Sequence, residues 1–250
     1  MKNRLTWRVY RISCRLARLF CPKPTFEGLE NLPDGPCVIV GNHAQMNGPI
    51  IAELDLPGER AIWCSAEMMH LREVPDYAFR DFWSKKPRAV RWCYRLLSYI
   101  IAPLSVCIFN NAHCIGVYRD GRVMATLRET LERLRGGARI VIFPEHDVPH
   151  NGIVWAFQEG FLVLARMYAR QTGMPLRFVP MYVAPALRKV VFGAPVSFDP
   201  KARPDEEQRR VCKALMDGVT ALAVALPRHR VVPYPNLPKK DYPFNEPNEV

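Results

Sequence analysis

Apolar and polar positions change period several times along the 250 residues, and each change marks an element. Between Arg4 and Phe20, Leu5, Val9, Ile12, Leu16 and Leu19 recur at steps of three and four. Arg4, Arg8, Arg11, Arg15 and Arg18 recur at the same steps on an adjacent face, so the pattern predicts one amphipathic helix, ended by Pro22 and Pro24. Beyond it, short and almost wholly apolar runs predict strands at 37–40, 61–64, 114–118, 140–143, 178–183 and 190–192. Helical spacing returns at 121–135, where Val123, Leu127, Leu131 and Leu134 share a face and Gly136-Gly137 stops the run. It returns again at 158–172, stopped by Gly173, and at 205–226, where acids in the first turn suit the helix dipole. Strands separated by helices predict an α/β fold: a single domain over 25–226 with a largely parallel central sheet flanked by helices. The basic amphipathic helix of 1–24 precedes it. From Pro227 to Val250 six prolines forbid regular structure, so that tail is expected to lie extended over the surface.

Charge sharpens this picture. The formal net charge is +11, and the seven Lys and Arg before Glu27 meet no acid. A local basic arm carrying Trp7, Tyr10 and Phe20 points to a membrane surface. Nucleic acid is not expected, because no groove-reading module follows. The longest apolar run, Leu96 to Phe109, has 14 residues and contains Pro103, so it is expected to be a buried or interfacial segment rather than a span. Arginines interrupt any signal-peptide core, which predicts a peripheral protein on the cytoplasmic face of the membrane. The eight cysteines form no C-x-x-C pair and are expected as free thiols, with no metal or other cofactor.

Polar groups with chemical potential stand where strands end, the usual place for function in parallel sheets. Asn42-His43 follows the 37–40 strand, Arg119 follows 114–118, and Glu145-His146-Asp147 follows 140–143. A histidine, an arginine and a carboxylate together are able to activate a hydroxyl, bind a phosphate and orient an acceptor.

The order of these groups resembles the glycerolipid acyltransferases, the group that includes 1-acylglycerol-3-phosphate acyltransferase. Four blocks carry the resemblance over roughly residues 25–200. Asn42-His43 followed by AQMNGP is similar to N-H-x4-D, and IGVYR (Ile115–Arg119) is similar to the block ending in Arg. Phe143-Pro144-Glu145 is similar to the start of F-P-E-G-T-R, and Val179-Pro180 to an apolar strand with a V-P pair. Two softer matches are QEGF at 158–161 and GAPV at 193–196. The resemblance implies an acyl-CoA or acyl-carrier-protein donor and a lysophospholipid or glycerol-phosphate-type acceptor. It implies His43 as general base and Arg119 as the ligand of the acceptor phosphate. Glu145, with Pro144 and Gly116 beside the motifs, is implied in substrate binding.

Two departures bear on the chemistry. Gly48 stands where the family has Asp, with Asn47 the neighbouring polar residue, and Gly-Thr-Arg is replaced by His146-Asp147-Val148. In the family the Asp orients the His ring, and in triad hydrolases replacing the analogous Asp by Asn costs on the order of 10⁴ in kcat. The site is therefore expected to be completed by Asn47, orienting the ring through its side-chain oxygen, or by Asp147 or Glu145 as a relocated acid. The rival readings are a catalytically silent lipid- or acyl-binding relative, and a hydrolase using His43 and water. The chain lacks a G-x-S-x-G elbow, which counts against a serine hydrolase.

Overall fold

The helical period after Asn3 forms a single helix, α1 (Arg4–Phe20), and the apolar runs form strands. The computed structural model describes residues 3–84 and 86–246. Parts of the two expected terminal segments, 1–2 and 247–250, lie outside the described residues. After α1 come β1 (Thr25–Glu27), β2 (Val38–Gly41), α2 (Asn47–Asp55), β3 (Arg60–Ser65), α3 (Val74–Ala78), α4 (Arg91–Asn111) and β4 (Cys114–Val117). Then follow α5 (Val123–Arg135), β5 (Arg139–Ile142), β6 (Glu145–Pro149), β7 (Trp155–Phe157) and α6 (Val163–Thr172). The last elements are β8 (Arg177–Ala184), β9 (Lys189–Phe192), β10 (Val196–Ser197) and α7 (Pro204–Val224). The fold class is α/β with mostly parallel strand pairing. Cα proximity divides the chain into two compact units, Met1–Phe20 with Ala61–Glu129, and Cys21–Arg60 with Thr130–Val250.

In the larger unit β2 is flanked by β5 and β8, both parallel to it. β9 pairs antiparallel with β8 and parallel with β1. Val38, Ile39, Val40, Ile140, Val141, Phe178 and Val179 are fully buried, as expected of strands covered on both faces. Pro180 stands inside this central region, at a place where a proline ordinarily breaks the ladder. Its carbonyl accepts from Gly193 N–H at 2.9 Å, so its own nitrogen faces the same edge, where β9 ends and β10 has not begun. The missing N–H therefore falls at a gap. α7 packs on β8, and Gly218 lets it come close: a Cβ there would lie 3.1 Å from the Pro180 ring.

In the smaller unit β3 and β4 pair in parallel. Thr126 of α5 ties the end of β4 by donating to Gly116 O at 2.7 Å and accepting from Tyr118 N–H at 3.1 Å. α3 and α4 enclose a small core of Val74, Ala78 and Ala102, and the Cys107 thiol of α4 donates to Thr6 O of α1 at 3.3 Å. The apolar segment that contains Pro103 lies within one continuous helix. Pro103 and Tyr99, whose carbonyl loses its intrahelical donor, both lie on the exposed face, which makes the break tolerable. Trp92, Leu96, Tyr99, Ile100 and Leu104 form an exposed stripe, so the run is not a buried one. By length and composition Arg88–Asn111 passes as a membrane-crossing helix, with 17% of its most apolar window buried. On α1 the expected apolar residues Leu5, Ile12, Leu16 and Leu19 are likewise exposed, while Tyr10 is buried.

Candidate active site

β2 runs out at Gly41, and the chain must turn sharply against β8. A Cβ at Gly41 would meet the Met181 carbonyl at 2.8 Å, so glycine is needed for the close approach. Asn42 then clamps the two strands. Its Oδ1 accepts from Val183 N–H at 2.7 Å and its Nδ2 donates to Val183 O at 3.1 Å. Asn42 is buried, so the first residue of the N-H pair is structural and fixes where His43 begins.

Next the backbone takes an unusual course. Ala44 and Gln45 have φ of 46° and 56°, a left-handed pair of non-glycine residues, each costing about 1–3 kcal/mol. The turn is closed by Asn47 N–H to Ala44 O and Gly48 N–H to His43 O, both 3.1 Å, and α2 begins there. The Asn47 amide adds a 2.9 Å bond to Ala44 O. This course brings the Gln45 carbonyl against Nδ1 of the His43 ring. A carbonyl oxygen only accepts, so Nδ1 carries the proton and Nε2 is the lone-pair nitrogen. Burial lowers the ring's pKa below the ordinary histidine value, while the Gln45 bond acts in the opposite sense. The ring is neutral at neutral pH.

Glu145, the first residue of β6, is buried, and its carboxylate holds two loops. Oε2 accepts from His43 N–H at 2.5 Å and Oε1 from Trp155 N–H at 2.9 Å. Burial pushes its pKa up to about 7, against the two N–H bonds, which favour the charge.

None of the expected partners of the ring, Asn47, Asp147 or Glu145, holds that place. Asn47 turns its amide to Ala44 O, because the shortened turn puts it at the start of α2. Asp147 is exposed on β6, which pairs with β7 as a hairpin. The place expected for a carboxylate or an amide oxygen is taken by a main-chain carbonyl. Glu145 is likewise built in as a brace, both oxygens being engaged by main chain. Pro144 is buried between β5 and β6, and its carbonyl accepts from Gln158 N–H at 2.9 Å. Gly116 and Arg119 belong to the smaller unit. Gly116 fits closely against Ala66, 3.2 Å from where its Cβ would be, and Arg119 is exposed just past β4.

The C-terminal segment contributes residues that sequence patterns do not reveal. Tyr234 meets the His43 ring edge-on, centroids 5.8 Å apart, and Phe143 meets it likewise at 5.5 Å. Tyr242 accepts from the Gln45 side-chain amide at 2.9 Å. The segment is docked rather than loose. His229 is buried and bonded to the Tyr182 hydroxyl at 2.8 Å, and Asn245 donates to Ala223 O and Leu226 O at 2.8 and 3.1 Å. The sequence signal was present only as aromatic residues spaced among the prolines.

No protein-family model matches this chain, and no curated protein matches it. Among solved structures it is similar to the crystal structure of the 1-acyl-sn-glycerophosphate (LPA) acyltransferase, PlsC, from Thermotoga maritima. The two share 20% identity over 91% of this chain and 86% of that one, with a TM-score of 0.48.

Proposed function

We propose that the protein is a membrane-associated acyltransferase. It moves a fatty acyl group from an acyl-CoA or acyl-carrier-protein thioester to a hydroxyl of a lysophospholipid or glycerol-phosphate-type acceptor. The observation that carries this proposal is the His43 ring at the end of β2, neutral, with Nδ1 bound to Gln45 O and Nε2 left to act as a base. Nε2 takes the acceptor's O–H proton as the oxygen attacks the thioester carbonyl carbon. The tetrahedral intermediate collapses with cleavage of the C–S bond, and the imidazolium returns its proton to the leaving thiolate. No covalent acyl-enzyme is required. Arg119 is proposed, on the motif resemblance and its exposed position after a parallel strand, to bind the acceptor phosphate. The exposed apolar residues of α1 and α4, with Arg4, Arg8, Arg11 and Arg15 also exposed, support peripheral attachment, which we place at the cytoplasmic face.

A second reading is a silent lipid- or acyl-binding relative. It is favoured by one observation: the group on Nδ1 is a carbonyl, which orients the ring but brings no negative charge to balance an imidazolium. Incubating the pure protein with lysophospholipid-containing membranes and an isotopically labelled acyl donor, followed by lipid mass spectrometry, separates the two. Labelled diacyl product is expected, and His43→Ala should lower its rate by about 10²-fold or more. A variant keeping more than roughly a tenth of the rate rules out His43 as the base. Binding without any product in the unsubstituted protein supports the silent reading.

A further inference from the structure

We propose that Tyr242 is a positioning residue for His43, acting through Gln45. The phenol oxygen anchors the Gln45 side chain, the anchored residue holds the left-handed turn, and the turn presents the Gln45 carbonyl to ring Nδ1. The inference rests on His43 being the base.

Two non-glycine residues in succession at positive φ need an external hold, because the chain alone prefers to relax them. The bonds from Asn47 and Gly48 fix Ala44 O and His43 O, not Gln45. What fixes Gln45 is its side chain, whose Nε2 donates to Tyr242 Oη across 197 residues of sequence. Tyr242 is itself held firmly. Arg230 donates to Tyr242 O at 2.6 Å and to Lys240 O at 3.1 Å, and Val231 N–H donates to Pro243 O at 2.9 Å. Arg230 and Phe244 form a β-bridge, and Asn245 N–H returns to His229 O at 3.1 Å. The segment is thus a hairpin closed at the Arg230–Phe244 bridge and anchored by His229 and Asn245, with Tyr242, two residues inside that bridge, on Gln45. A main-chain carbonyl and a carboxylate share the property that matters for the ring: both only accept, so both select the Nδ1–H tautomer. The C-terminal hairpin supplies by geometry the orientation that a motif carboxylate would supply directly.

The test uses the full-length protein with ¹⁵N-labelled histidine. Ring-nitrogen NMR reads the His43 tautomer in the unsubstituted protein, in Tyr242→Phe, in Gln45→Ala and in the double variant. The expected result is Nδ1–H in the unsubstituted protein and a mixture of tautomers in each single variant, with no further change in the double. Acyl transfer should lose about five- to tenfold in kcat, as for one hydrogen bond, with KM for both substrates within about twofold. The relay is overturned if Tyr242→Phe keeps the Nδ1–H tautomer, whether or not its unfolding midpoint falls. It is also overturned if the two substitutions act additively on kcat. Absence of acyl transfer in the unsubstituted protein would remove the proposed function, while the tautomer comparison still decides the relay.

Discussion

Asn42 and Val183 exchange two hydrogen bonds, 2.7 Å and 3.1 Å long, at the point where β2 leaves the sheet beside β8. The side chain completes a strand ladder that the turning backbone has abandoned. Asn42→Asp keeps the acceptor and replaces the donor by a second oxygen facing Val183 O. An unpaired buried polar group costs about 1–3 kcal/mol and a charged one more. The variant is expected to lose about 2–4 kcal/mol in urea unfolding. A loss within about 0.5 kcal/mol would show that the clamp does not matter.

Gly48→Asp restores the residue of the family motif at its motif position, and should not restore its role. A Cβ at 48 would lie 2.7 Å from the Phe143 ring and 2.8 Å from His43 O, the second contact being main chain. Overpacking of this kind costs typically ~1–3 kcal/mol. Lower stability and no gain in acyl transfer are expected. A large gain would mean that the turn opens to let the new carboxylate reach the ring.

Glu145 makes stability depend on pH in an unusual sense. Its folded pKa, about 7, lies above the ordinary 4.5, so between these values the folded protein binds more protons than the unfolded chain. This contribution falls as pH rises through the window and levels off above it. His43 acts oppositely, because its pKa is lowered and its contribution grows with pH up to about its ordinary 6.5. Glu145→Gln removes the first effect, keeps the second, and gives up one of the two N–H bonds. Urea unfolding at about pH 5 and about pH 8 should show the variant gaining on the unsubstituted protein by about 2–3 kcal/mol between the two. Parallel pH profiles would contradict the buried carboxylate.

Arg119→Ala should raise KM for lysophosphatidate by about 10- to 100-fold, the size of one or two charge-assisted bonds, with kcat little changed. Steady-state kinetics on mixed micelles reads the split. An unchanged KM with the loss confined to kcat would remove the phosphate-binding role.

The sheet is legible in the sequence because β2, β5 and β8 are buried on both faces and must be continuous apolar runs. α2 is not legible, since its first turn reads Asn47-Gly48-Pro49, the composition of a loop. α4 is obscured by Pro103, whose penalty shrinks on an exposed face. At the site, Asn42, His43 and Glu145 stand out by their places at strand ends. The partner of the His43 ring does not, because a main-chain carbonyl has no residue type to betray it. Asp147 draws attention as the spare acid, yet the β6–β7 hairpin leaves it exposed. Tyr234 and Tyr242 come from the far end of the chain, and a proline-rich segment carries local information about irregularity, none about docking.

The contact of Pro180 with Gly218 and Gly193 also constrains the order in which this sequence is free to drift. Glycine inside a helix costs about 1 kcal/mol relative to alanine, so Gly218 in α7 is under standing pressure to be replaced. The proline ring blocks that exchange, because a Cβ at 218 would sit 3.1 Å from it, and one at 193 would sit 2.9 Å away. If Pro180 is first exchanged for alanine, Cγ goes and the close contact at 193 goes with it, but the Cβ of residue 180 stays, 3.2 Å from where a Cβ at 218 would lie. Gly193→Ala then becomes tolerable, whereas Gly218→Ala is resisted before and after the exchange. Once a side chain stands at 193, a proline at 180 has no room to return, so 180 and 193 form a ratchet between neighbouring sequences while 218 stays glycine.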